Sequence, residues 1–150
     1  MISVRPFEDQ HAPALAEIMI EMTRFYGASI PKNARITEDI IGHSKNIDIL
    51  LAFNREAPVG FATFTTLFPV GGLRSFTYIQ QVYVGAAARR LGVAQRLMSA
   101  IARTSKARGC QRLEWATARK ILPLAPSMTA WERAAQLKFN MFWKAMLWIN

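Results

Sequence analysis

The first apolar residues of the chain recur at helical spacing. Leu15, Ile18, Met19, Met22 and Phe25 share one face of a helix over 9–25, which Gly27 and Pro31 bring to an end. Ahead of it, Ile2–Arg5 alternates like a short strand. Thr37, Glu38 and Asp39 supply the cap and first turn of a short second helix. Ile47–Phe53 is a continuous apolar run suited to a buried strand. A turn at Asn54–Pro58 leads to Val59–Phe68, rich in β-branched and aromatic residues, and the two runs read as a β-hairpin. Pro69, Gly71 and Gly72 mark a loop, and Phe76–Val84 is the next strand. A helix beginning near Gly92 carries Val93, Leu97, Ala100, Ile101 and Thr104 on one face. It ends at Gly109, and Arg112–Thr117 reads as a strand. The order β-α-α-β-β-β-α-β predicts an α/β chain with a mixed sheet flanked by helices. Its strand–helix–strand unit at 78–117 is expected to be a right-handed parallel crossover.

Beyond residue 118 the pattern changes. Pro123 and Pro126 forbid an early helix, and Thr129 with Glu132 has the spacing of a capping box. Phe139, Phe142, Trp143, Met146 and Leu147 then fall on one face, which predicts a terminal amphipathic helix over 130–147 packed on the domain. Left uncovered, that face would drive self-association, so a homodimer is left open.

A chain of 150 residues holds one ordinary domain, here a core over 1–118 and a tail over 119–150. Its 51% apolar content implies a packed globular domain rather than disorder. A single cysteine, Cys110, allows no internal disulfide and points to a reducing, cytoplasmic setting. The start, MISVRPFEDQ, has no apolar segment of a signal peptide. No run approaches the roughly 18 apolar residues of a membrane helix.

Charge sharpens the picture. Residues 1–84 sum to −1 and residues 85–150 to +10. From Gly85 to Leu113 there are seven basic residues and no acid. A basic half suits a polyanionic partner, either nucleic acid or a phosphorylated cofactor, or is a solvated face. The segment 85–113 has no aromatic side chain to interleave with the charge, which argues against nucleic acid. The run Arg89-Arg90-Leu91-Gly92-Val93-Ala94 lies between a strand and a helix. A helix start offers unpaired N–H groups and partial positive charge, so it ordinarily attracts acids. Two arginines there are electrostatically poor unless an outside anion joins them. Gly92 lets the backbone come close and Ala94 leaves the next turn uncrowded, which makes this loop a candidate pyrophosphate cradle.

The stretch YIQQVYVGAAARRLGVAQRLM resembles the central motif of the GNAT acetyltransferase superfamily, in which Arg or Gln, two residues, Gly, one residue, and Gly or Ala follow in order. Arg89, Gly92 and Ala94 fill those places, and the likeness continues through CQRLEWATA at 110–118. The resemblance implies the GNAT fold, acetyl-CoA as donor and an amine as acceptor. It implies that main-chain N–H groups of Arg89, Arg90, Leu91, Gly92, Val93, Ala94 and Gln95 hold the pyrophosphate. It further implies that the main chain of Val82, Tyr83 and Val84 pairs with the pantetheine arm. The run FATFTTLFPVGGLRSFTYIQQVYV is most similar to the diamine and small-amine subgroup. That likeness places Glu21, Tyr26 and Gln81 toward the acceptor, a polyamine or an amino-acid-like amine. No metal, membrane or nucleic acid is implied.

Amide formation needs a neutral amine, and deprotonating an alkyl ammonium at pH 7 costs about 4.6 kcal/mol. Many relatives carry an acid where this chain has Gln81, which cannot take a proton. Glu21 and Glu114 are the remaining carboxylate candidates, each read first as a surface or structural acid. Relatives also end in a segment with a tyrosine that protonates the leaving thiolate, and no tyrosine follows Ala118. Tyr78 and Tyr83 read first as packing residues and second as replacements for the missing acid. The catalytic acid and base are therefore unassigned. A catalytically silent acyl-CoA-binding domain stands as the alternative to an N-acetyltransferase. His11 and His43 stand alone, Ser99 and Ser105 lack a paired base, and Cys110 is expected to be inert.

The unmatched tail has a specific expectation. Read in the neighbouring frame from Lys120, the residues permit N-T-A-A-R-P-V-Y-D-G-L-G-A, which has the family's asparagine, tyrosine and Leu-Gly-Ala in register. Met128 followed by Thr129 forces Asp, and Trp131 followed by Glu132 forces Gly; the other letters use permitted wobble bases. Loss of one adenine near Lys120 would produce the present tail, and a divergent tail is the rival account. Sequencing the gene across codons 115–135 decides between them. Codons able to spell the tyrosine motif in the shifted frame are expected, and codons unable to spell it eliminate the frameshift.

Overall fold

A computed structural model describes residues 1–117 and 143–148. Its elements are β1 (Ile2–Pro6), α1 (Ala12–Phe25), α2 (Ile36–His43), β2 (Asp48–Asn54), β3 (Ala57–Val70), β4 (Arg74–Val84), α3 (Val93–Ala107), β5 (Arg112–Thr117) and β6 (Trp143–Trp148). Short 3₁₀ turns at Asp9–His11 and Ala86–Ala88 precede α1 and α3. The strands form one mixed sheet in the order β1-β2-β3-β4-β5-β6. β1 runs antiparallel to β2. β4 runs parallel to β5 over Thr77–Ile79 and Leu113–Trp115, as the helical crossover between them requires. β5 runs antiparallel to β6.

The chain divides into two compact units, one of Met1–Thr63 with Gln81–Ala100 and one that begins with Phe64–Gln80 and resumes at Ile101. The first unit buries the apolar face of α1 predicted from its spacing. Leu15, Ile18 and Met22 pack with Ile40 of α2, Leu51 and Phe53 of β2, Phe61 of β3 and Tyr83 of β4. Gly60 is fixed here by proximity. A Cβ at that position would lie 2.7 Å from the Tyr83 carbonyl oxygen and 3.3 Å from both the Val84 Cα and a Val93 methyl. In the second unit, the wholly buried hydroxyls of Thr77 on β4 and Ser105 on α3 share a 2.6 Å hydrogen bond. The Gln111 N–H donates to the Ser75 carbonyl at 2.9 Å, and the Arg108 guanidinium reaches Thr66 Oγ1 at 3.2 Å.

Four expectations are corrected. The chain over Trp143–Trp148 is a strand, not the end of a helix over 130–147. The spacing of large apolar residues fits a helix, but β5 offers a row of backbone N–H and C=O groups that an antiparallel neighbour satisfies. Short apolar runs do not separate the two alternatives by period alone. The expected capping box at Thr129 and Glu132, and the shifted-frame segment, lie outside the described residues. Pro69, expected in a loop, belongs to β3, and the turn falls at 71–73. The second helix starts at Ile36 with Arg35 before it, so Thr37 lies in the first turn rather than at the cap. The first helix takes a 3₁₀ turn at Asp9–His11 and becomes α-helical only at Ala12.

The crowding at Gly60 gives a stability prediction. Gly60→Ala must displace backbone, and overpacking of this kind costs about 1–3 kcal/mol. For a chain of this size the melting temperature should fall by roughly 2–12 °C. An unchanged melting temperature would show that β3 and β4 have room to spread.

Candidate functional site

The site is best followed from the end of β4. Gln81 and Tyr83 have the same parity on the strand and so point to the same face. Gln81 is exposed, while Tyr83 is 5% exposed and lies in the core of the first unit. The Tyr83 hydroxyl donates to Glu21 Oε1 at 3.0 Å, and the same oxygen accepts the Ala86 N–H at 2.9 Å. One carboxylate on α1 therefore holds both the last inward side chain of β4 and the first residue of the 3₁₀ turn. Gly85, between them, donates its N–H to the Val59 carbonyl at 2.9 Å. A Cβ at Gly85 would stand 3.3 Å from that carbonyl and 3.5 Å from Glu21 Oε2. Glycine permits this close convergence of β3, β4 and α1.

Phe25 lies one turn beyond Glu21, on the same helix face. It receives the Arg89 guanidinium over its ring at 4.7 Å from the centroid and meets Tyr83 edge to face at 6.1 Å. Arg89 also donates from Nε to the Val84 carbonyl at 3.3 Å and from Nη2 to the Tyr83 hydroxyl at 3.4 Å. Burial first, and then the hydrogen bond and charge of Glu21, push the Tyr83 phenol above its ordinary 10.0, while Arg89 pulls the other way. The phenol is thus a neutral donor at neutral pH. With the folded value the higher one, its contribution to stability is intact below pH 10.0 and is lost as pH rises toward the folded value.

The loop that follows is built from backbone. Arg90 and Gly92 both take the left-handed conformation, with φ of 66° and 74°. The helical ladder opens with the Arg96 N–H donating to the Gly92 carbonyl at 3.1 Å. The N–H groups of Val93, Ala94 and Gln95 therefore precede the ladder, as at any helix start. The first turn of α3 contains no acid. Val93 is buried, anchoring the start of the helix, while Arg90, Leu91, Ala94 and Gln95 are exposed. Among the described residues no atom lies within 4 Å of a Cβ placed at Gly92. Its glycine answers to the conformation of the turn, not to crowding inside the protein.

Of the acceptor-side expectations, Glu21 is engaged as described. Tyr26 is half exposed and edge to face with Phe25 at 5.3 Å. Glu114, the other carboxylate considered as a base, is wholly buried on β5 and takes a 2.7 Å ion pair from Arg112 Nε. That burial and ion pair are the setting of a structural acid. Ser105 is spent on Thr77, Cys110 is buried, and the His11 Nδ1 accepts the Glu8 N–H at 3.3 Å. Among the described residues no three His, Cys, Asp or Glu gather as metal ligands, and no helix is long and apolar enough to cross a membrane. The parts that sequence reasoning missed are Phe25 as the seat of Arg89 and Ala86 as a donor to Glu21. The spacing of Glu21 and Phe25 marks a shared face, but nothing local announces partners more than sixty residues away.

A model of the acetyltransferase (GNAT) family matches residues 13–122. Solved structures share the fold. A GNAT-family protein from Desulfovibrio desulfuricans is 16% identical with a TM-score of 0.70, and the match covers 100% of both chains. A ribosomal-protein-alanine N-acetyltransferase from Brucella melitensis is 18% identical with a TM-score of 0.70, covering 79% of this chain and 82% of that one. An aminoglycoside acetyltransferase from an uncultured soil metagenomic sample, solved with sisomicin, is 16% identical with a TM-score of 0.66, covering 84% and 86%. No curated protein matches the sequence.

The buried pair yields a prediction for the second unit. Arg112→Met removes the 2.7 Å ion pair to a wholly buried carboxylate and should lower stability, by up to about 3–5 kcal/mol. Adding Glu114→Gln should recover much of that loss in urea denaturation. A single variant as stable as the parent would show that Arg112 is dispensable to Glu114.

Proposed function

The chain belongs to the acetyltransferase (GNAT) family, and on that footing we propose that it uses acetyl-CoA to acetylate a primary amine of a small molecule, a polyamine or an amino-acid-like compound. The observation that carries the donor half is the start of α3. It has left-handed residues at Arg90 and Gly92, unladdered N–H groups from Val93 to Gln95, and no acid. These features suit a pyrophosphate held by the main chain of Arg89–Gln95. The main chain of Val82, Tyr83 and Val84 then takes the pantetheine arm, as the family resemblance implies. The neutral amine attacks the thioester carbonyl, the C–N bond forms, the C–S bond breaks, and the thiolate leaves to be protonated.

The acceptor reading rests on the diamine-like stretch of sequence and on the exposed Tyr26 and Gln81. An aminoglycoside acetyltransferase among similar folds is in keeping with a small polyamine. The ribosomal-protein-alanine enzyme makes a protein N-terminus the acceptor to test against it. The family match ends at residue 122, close to Lys120, in keeping with a frame change there. In this reading the present tail lacks the tyrosine acid, and the chain is a poor catalyst beside relatives that keep it. A silent acyl-CoA-binding domain is the second reading, supported by glutamine rather than an acid at Gln81. Thiol release with a panel of amines separates the two.

Calorimetric titration tests the donor half. The parent should bind acetyl-CoA. Gly92→Val should abolish binding, because its side chain fills the approach and a β-branched residue disfavours the left-handed turn. The second effect also lowers stability, by about 1–3 kcal/mol. A folded Gly92→Val protein that binds acetyl-CoA as the parent does would move the site elsewhere.

A further inference from the structure

Glu21 lies on α1, more than sixty residues from the phosphate loop, and it resembles the acid that would greet a cationic acceptor. Its geometry serves something else. Oε1 already accepts two donors, the Tyr83 hydroxyl at 3.0 Å and the Ala86 N–H at 2.9 Å. Oε2 faces Gly85, 3.5 Å from where a Cβ would stand. These three residues are the end of β4 and the entry to the 3₁₀ turn that leads to Arg89. The Ala88 N–H closes that turn on the Gly85 carbonyl at 2.9 Å, and Ala88 itself is buried. Arg89 is then drawn back over Phe25 and onto Val84 O and Tyr83 Oη, so its guanidinium is committed to the α1 side.

Resting on the acetyl-CoA reading above, we propose that Glu21 is a positioning residue for the cofactor loop, in place of the acceptor contact expected from its position. Through one carboxylate oxygen it fixes where β4 ends and where the 3₁₀ turn begins. It thereby sets the direction from which residues 89–95 present their N–H groups. Tyr83 relays this by offering its hydroxyl to both Glu21 and Arg89. Glu21 needs only an oxygen acceptor for this work, not a negative charge. That requirement separates it from a residue that binds an ammonium group, for which charge is the point.

The test is calorimetric titration of acetyl-CoA into the parent, Glu21→Gln and Glu21→Ala proteins, each well below its melting temperature. Glutamine keeps an oxygen with two lone pairs, so Glu21→Gln should bind within about threefold of the parent. Alanine leaves both donors without it, and Glu21→Ala should bind about tenfold more weakly or worse. If Glu21→Ala does not fold, Tyr83→Phe keeps the ring and loses only the hydroxyl, and weaker acetyl-CoA binding is again expected. Equal binding by Glu21→Ala, or by Tyr83→Phe where that variant stands in, overturns the inference while leaving the cofactor reading intact. A Glu21→Gln protein as weak as Glu21→Ala also overturns it, because charge would then be what matters. A parent that binds no acetyl-CoA removes the cofactor reading, and the inference falls with it.

Discussion

The two hydrogen bonds that converge on Glu21 Oε1 are the constraint on which the rest of the site depends. A helix and a strand end far apart in sequence must meet within hydrogen-bond distance of a single oxygen. That condition explains several residue choices at once. Gly60 stands where β3 meets β4 and the start of α3, and Gly85 where β4 meets β3 and α1; a Cβ would press on the Tyr83 carbonyl at the first and on the Val59 carbonyl at the second. Tyr83 has to be long enough to cross from β4 to α1, and its phenol has to stay neutral to donate. Its ordinary value of 10.0 already ensures this at neutral pH, and burial and the neighbouring carboxylate push it further up. Phe25, one turn on, receives the Arg89 guanidinium over its ring.

With the Arg89 guanidinium over Phe25 and bonded to Val84 O and Tyr83 Oη, the anion-binding role proposed for the loop falls to main-chain groups. Backbone donors are fixed by the fold and need no ordering when an anion arrives, whereas an arginine side chain does. Arg89 still contributes positive charge close by, as does the exposed Arg90. Arg90 and Gly92, both left-handed, lead directly into the first amides of α3. A helix start without acids leaves its partial positive charge unanswered within the first turn, which is what the proposed pyrophosphate would complement.

Most of the fold was legible from residue patterns because each element has one strong local signal. The spacing of Leu15, Ile18 and Met22 places α1, and the apolar run before Asn54 places β2. The Gly92 and Gly109 boundaries place α3. The parallel pairing of β4 with β5 follows from the helix between them. The misreading came at Trp143–Trp148, where large apolar residues satisfy helical and extended spacing alike and the outcome is set by the open edge of β5. The loop was legible because its chemistry is written in consecutive residues. The Glu21, Tyr83 and Ala86 junction was not, because its members are scattered and only the folded chain brings them together. Sequence alone offered Glu114 as a base candidate or a structural acid, and its burial beside Arg112 is visible only in the folded chain.

Amide hydrogen exchange with and without acetyl-CoA tests the central claim most directly. The account predicts that acetyl-CoA slows exchange at Val82–Val84 and at the N–H groups of Val93–Gln95. Those are the main-chain donors it assigns to the cofactor. Protection confined to other segments, or exchange at Val93–Gln95 unchanged while acetyl-CoA is bound, would contradict it.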